Sequence, residues 1–162
     1  MSEMGEGTRP GVSEYGSVDP APPSKEKKVD SLISILLDEE EKMFERMRTI
    51  FSLRNNRSAD AVNALCQGFS VKSALLRHEL AYVLGQMQDS LAVPTLIRVL
   101  SDEEEHVMVR HEAAEALGAI GDITAKSTLE KFLSNPNPEV SESCEVALDL
   151  LALCNSDQNI DW

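Results

Sequence analysis

The sequence predicts an all-α protein, an α-solenoid of about four helical hairpins stacked side by side. Three observations carry that expectation. From Lys25 onward apolar residues recur at three- and four-residue intervals, and no stretch sustains period-2 alternation. Only 4% of residues are aromatic against 42% hydrophobic, so the core must be built from Leu, Ala, Val, Ile and Met. The chain also resembles itself at spacings of 31 to 33 residues, the mark of a repeat whose unit is a pair of helices.

Taken in order, residues 1–24 hold 4 of the 8 glycines and 4 of the 7 prolines and end in Asp19-Pro20-Ala21-Pro22-Pro23, a composition expected for a disordered tail or linker. A repeat domain is expected over 25–154 and a flexible tail over 155–162. The first helices of the pairs are read at 28–37, 59–69, 91–101 and 124–134. The second helices carry the repeat: Leu76 to Gly85 reappears as Val109 to Gly118, with weaker copies from Phe44 to Leu53 and from Val140 to Leu151. Asp89 and Asp122 stand where a carboxylate caps free N–H groups, and Pro94 lies in a first turn, where its missing donor is harmless. Fourfold repetition of a helix pair at this period is the pattern of HEAT repeats.

On a helical wheel Leu76, Leu80, Val83, Leu84 and Met87 form one stripe, matched by Val109, Ala113, Ala116, Leu117 and Ile120. These are the candidate core. His78 and His111 fall nearly opposite, with Glu79 and Glu112 at the stripe's margin, so the histidines face the surface lined by successive second helices. In a solenoid that surface is usually the concave, partner-binding one. Gly85 and Gly118 follow two turns later on the same face; they either leave room beside the histidines or let neighbouring helices pack closely. Two His-Glu pairs in register can converge on one metal ion, and imidazole with carboxylate suits iron, zinc or manganese. The alternative is an exposed pair copied by duplication and merely solvated. Glu39–Glu41 and Glu103–Glu105 read as solvated loop charge, and His106, which lacks the repeat context, as surface.

Composition narrows the classes of function. A formal charge of −13 disfavours nucleic acid and favours cationic partners. No apolar run approaches the roughly 18 residues of a membrane span, and no basic start leads into an apolar stretch. Cys66, Cys144 and Cys154 are an odd number without CxxC spacing, as expected of thiols in the cytoplasm. No phosphate loop, nucleophile elbow or cysteine metal cluster is present.

The stretches Leu75 to Gln88 (LLRHELAYVLGQMQ) and Met108 to Ile120 (MVRHEAAEALGAI) resemble the deoxyhypusine hydroxylase family. The resemblance runs over about residues 15–152. Ser17 to Pro23 resembles the connection between that family's two halves, and Glu142 to Asp149 the end of its second half, so the chain resembles a carboxyl-terminal half. The family is a HEAT-repeat dyad, two halves with two His-Glu motifs each, enclosing a di-iron centre. The resemblance implies a monooxygenase that uses dioxygen to hydroxylate deoxyhypusine on a translation factor, forming hypusine, with two iron ions per complete site. It implies His78 and His111 as iron ligands, Glu79 as the ligating carboxylate, and Glu112 as a further metal-site residue, in the second shell or on the substrate amine. A second half, as a homodimer partner or a complementary segment, would complete the site. A non-catalytic HEAT module that binds a protein partner is the alternative, with a HEAT-like bilin lyase a third reading.

Overall fold

A computed structural model describes residues 7–162. Among the described residues there are eight α-helices and no strand: α1 (Val29–Leu37), α2 (Met43–Asn56), α3 (Ala59–Gln67), α4 (Ala74–Met87), α5 (Val93–Ser101), α6 (Val107–Ile120), α7 (Lys126–Lys131) and α8 (Pro138–Cys154). They pair as α1/α2, α3/α4, α5/α6 and α7/α8, the four hairpins expected of the repeat. α4 packs on α6 and α6 on α8, so the second helices form a continuous row.

Local chemistry explains where the elements start and stop. Ser58 and Ser73 accept from the backbone N–H of Ala61 and Leu76, capping α3 and α4. Asp89 and Asp122 accept from Leu91 N and Thr124 N at 2.9 Å, capping short 3₁₀ turns that lead into α5 and α7. Successive second helices end at repeat-equivalent residues in the left-handed region: Arg57 at φ 65°, Gln88 at 54° and Gly121 at 76°. Only the third is glycine; the other two carry a cost of roughly 1–2 kcal/mol each. An arginine recurs near the start of the first three second helices, α2, α4 and α6. Arg46 Nε and Arg110 Nε donate to the Leu36 and Leu100 carbonyls, both at 2.9 Å, and lock each second helix to the end of its own first helix. The third, Arg77, instead pairs with Glu105 at 2.8 Å and donates to the Val71 and Lys72 carbonyls. Glu105 and Glu39, which meets Arg46 and the Lys72 N–H, are thus tied into the scaffold rather than left as solvated charge. His106 caps α6 through Nδ1.

The wheel assignment of the core holds: Leu76, Leu80, Val83, Leu84, Val109, Ala113, Ala116 and Leu117 are buried, while Met87 and Ile120 pack at its edge. The glycines resolve toward packing. A Cβ on Gly85 would lie 3.1 Å from Ala116 Cα, and one on Gly118 would lie 3.0 Å from Ala147 Cβ. Their missing side chains let α4, α6 and α8 approach one another.

The disordered tail or linker expected over residues 1–24 does not hold from Ser13 to Ser24. The first six lie outside the described residues, but from Ser13 to Ser24 the chain is a packed strap, not a free tail. Arg54, wholly buried on α2, pairs with Asp19 at 2.7 Å, donates to Gln86 Oε1, and stacks its guanidinium 4.6 Å from the Tyr15 ring centre. Ala21 is buried, and Arg48 donates to the Pro22 and Pro23 carbonyls. Proline and glycine exclude helix here, but order comes from contacts some 35 residues away in sequence. Residues 155–162 follow α8 without helix.

Candidate metal centre

α4 and α6 bring the two His-Glu pairs together on the row of second helices. His78 Nε2 lies 3.5 Å from one Glu112 oxygen, and His111 Nε2 lies 3.9 Å from the other. One carboxylate therefore stands between two imidazoles. Glu79 is placed differently: its nearest imidazole approach is 4.0 Å to Nδ1 of the adjacent His78, the nitrogen that faces away from Glu112. Repeat geometry accounts for the difference. The residue after the histidine position leans back toward the preceding second helix: Glu112 reaches His78 on α4, and Ser143, its counterpart on α8, reaches His111 on α6. Glu79 leans by the same rule toward α2, where Met47 occupies the equivalent of the histidine position and offers no imidazole.

The Ser143 contact orients the His111 ring. Ser143 Oγ donates its only proton to the Glu139 carbonyl at 2.5 Å, so it accepts from His111 Nδ1–H at 2.6 Å. In the neutral ring the lone pair is then on Nε2, the nitrogen that lies 3.9 Å from Glu112. A hydrogen bond to the remote nitrogen is the usual support of a ligating histidine.

Two residues of this site escaped the sequence reading. Glu115, one turn after His111, brings a carboxylate oxygen 3.8 Å from His111 Nε2. His111, Glu112 and Glu115 offer one donor atom each, all within 4.8 Å of one another, a set that could hold a metal ion. The i, i+4 spacing from His111 was the available signal for Glu115. For Ser143 there was none beyond repeat register.

Electrostatics reflect crowded, partly desolvated acids. Burial, then the Glu115 and Glu79 carboxylates, push Glu112 up to about 7. Burial and the Asp19 charge raise Glu79. Burial and the neighbouring His111 hold His78 below the usual imidazole value, against the pull of Glu115. Without a cation this cluster is strained by like charge, and a cation would relieve it. The nitrogen and oxygen donors, with no thiolate among them, fit iron, manganese or zinc. A cavity of about 730 Å³ lies elsewhere, between residues 8–23 and α2, and neither histidine lines it.

Comparison with known proteins places the chain. A family model of HEAT repeats matches residues 70–149. Deoxyhypusine hydroxylase of Gallus gallus is 52% identical over 94% of this chain and 51% of its own length. The Arabidopsis thaliana enzyme is 52% identical over 93% and 48%, respectively. The solved structure of human deoxyhypusine hydroxylase in complex with glycerol superposes with a TM-score of 0.86 at 48% identity, covering 90% of this chain and 50% of that one. The complex of CpcE and CpcF of phycocyanin lyase from Nostoc sp. PCC7120 is more distant, with a TM-score of 0.59 at 26% identity over 78% of this chain. The chain spans about half the length of the curated relatives it matches. Over that shared half, in sequence and in fold, the chain is similar to the deoxyhypusine hydroxylases and carries HEAT repeats.

Proposed function

We propose that this chain supplies one half of an iron-dependent deoxyhypusine hydroxylase, acting on the deoxyhypusine side chain of a translation factor. The observation that carries the reading is the Glu112 carboxylate standing between His78 Nε2 and His111 Nε2. On this reading His78, His111 and Glu112 hold the ion, with Glu115 within reach as a further oxygen. Two histidines and one carboxylate form the facial set of non-haem iron sites. This exchanges the roles that the family resemblance suggested for the two glutamates, because Glu112 reaches both imidazoles while Glu79 comes only within 4.0 Å of His78 Nδ1. Bound iron would supply the dioxygen-derived oxidant that C–H hydroxylation needs and no side chain provides.

The chain's own residues do the rest. Ser143 orients His111 and leaves its Nε2 free to ligate. Glu79, mostly buried beside His78, is left to receive a substrate ammonium, and the net charge of −13 draws a polycationic side chain toward it. The ligands of this half sit on an open row of helices. A second half, another copy of the chain or a complementary segment, would cover them, exclude water and bring a second ion. The three free thiols and a core without disulfides suit the cytoplasm, and no helix of the described residues is long and apolar enough to cross a membrane.

The test is iron content with solution mass, followed by a hydroxylation assay on a deoxyhypusine-bearing substrate in the presence of a complementary half. About one iron per chain is expected, lost in His78→Ala and His111→Ala, with product formed only by the paired halves. A folded chain that binds a protein partner but takes up no iron would instead identify a non-catalytic HEAT module.

A further inference from the structure

The second helices carry large apolar side chains where a solvated surface is ordinarily polar. Phe44, Leu75 and Met108 share one repeat position, one turn before Met47, His78 and His111, and are 54%, 55% and 41% exposed. A single exposed apolar residue is ordinary; three in register on neighbouring helices form a patch. With helix axes about 8–10 Å apart, the three make a row roughly 16–20 Å long, parallel to the line of histidines and one turn outside it. Met43 widens the row at its α2 end, where Phe44 also borders the cavity between residues 8–23 and α2. At α8 the row stops, because Glu139 takes the same position.

The outer edge of the row is acidic. Asp38–Glu41 and Asp102–Glu105 lead into α2 and α6, and the same turn shapes both loops: Asp38 and Asp102 accept from the Glu40 and Glu104 N–H groups at 2.9 Å. Glu39 and Glu105 are paired with Arg46 and Arg77. Asp38, Glu40, Asp102, Glu103 and Glu104 stay exposed, and the cations among them are Lys42 and Lys72. The inner edge is the carboxylate-rich metal cluster. A second copy of this chain laid row against row would therefore set carboxylates against carboxylates. The face that complements this one has an apolar centre and a basic rim.

We infer that the row of Phe44, Leu75 and Met108, with the acidic loops beside it, is the docking surface for the folded body of the protein substrate. That the docked protein is the substrate rests on the function proposed above; the apolar row and its acidic edge do not. Docking one turn from His78 and His111 sets the partner's surface beside the metal centre, within reach of a side chain that the partner carries. Phe44 and Leu75 supply contact area, and the loops steer a basic surface toward it.

The test is calorimetric titration of the iron-loaded full chain with the translation factor, in its deoxyhypusine-bearing and unmodified forms. Iron content, solution mass and melting temperature are measured for every variant. Phe44→Ser combined with Leu75→Ser should weaken binding of both forms about tenfold or more at unchanged iron content, and Leu75→Gln alone carries the test should the pair fold poorly. Glu103→Lys combined with Glu104→Lys should weaken binding several-fold and flatten its dependence on salt. With a complementary half present, hydroxylation of the whole factor should slow by a similar factor, while that of a short deoxyhypusine peptide stays the same. No binding to the wild type, or binding unaltered in the serine and lysine variants, would overturn the proposal. So would a fall in solution mass on introducing the serines, which would place the row between copies of the chain. Row-dependent binding by a chain that takes up no iron sinks the hydroxylase reading alone; iron uptake and hydroxylation of the whole factor untouched by these variants sinks this inference alone.

Discussion

Gly85→Ala sets two known effects against each other at a place where the geometry decides between them. In an exposed helix the change gains about 1 kcal/mol of propensity. Here the new methyl would meet Ala116 Cα at 3.1 Å and Cβ at 3.2 Å, inside the roughly 3.5–4.0 Å of ordinary carbon contact. The obstacle is the backbone of α6, which cannot rotate aside, so α4 and α6 must separate by a few tenths of an ångström. Overpacking of this kind costs about 1–3 kcal/mol. The net effect is a loss of about 1 kcal/mol, or about 2–4 °C in melting temperature for a chain of this size. The same separation draws His78 away from Glu112, so iron affinity should fall about tenfold, a change worth about 1.4 kcal/mol. Gly118→Ala is the companion variant: it meets Ala147 at 3.0 Å, separates α6 from α8, and leaves the spacing between His78 and Glu112 alone. Thermal unfolding and iron titration read both effects. A Gly85→Ala protein stabilised by about 1 kcal/mol, with iron affinity intact, would refute the close approach of α4 and α6.

Other expectations follow from single contacts. Asp19→Ala strands the buried Arg54 guanidinium and should cost about 3–5 kcal/mol in urea denaturation, whereas a free tail would cost nothing. Ser143→Ala removes the acceptor that orients His111 and should lower iron affinity about 10–100-fold at nearly unchanged stability. In metal-free protein Glu112, raised from 4.5 to about 7, binds its proton more tightly folded than unfolded. Its contribution to stability is complete below pH 4.5 and is lost as pH rises through 7, by no more than about 3 kcal/mol. Glu112→Gln should flatten that slope, and iron binding to the wild type should strengthen as pH rises through the same range and release protons.

How legible the molecule was in its sequence depended on how far each feature reached along the chain. The helix pairs, their caps and the core stripe were readable because each is local or repeats in register, as Leu76 and Val109 do. His78 and His111 were readable for the same reason. The different placement of Glu79 and Glu112 was not: both follow a histidine by one residue, and only the packing of α4 on α6 puts Glu112 between two imidazoles. Glu115 was hidden by divergence, since its counterpart is Tyr82. The strap was missed because proline and glycine report the absence of helix and say nothing about Asp19 meeting Arg54. The glycines were half read, as room or as close packing, and the second proved right because Ala116 and Ala147 lie where a methyl would go.

The ligand assignment is the centre of this account, and iron titration of Glu112→Gln beside Glu79→Gln tests it most directly. Both variants keep the side-chain volume, so a difference between them reports on donors rather than folding. The predicted result is that Glu112→Gln loses iron while Glu79→Gln retains it and loses amine binding. Iron kept by Glu112→Gln and lost by Glu79→Gln would contradict the account.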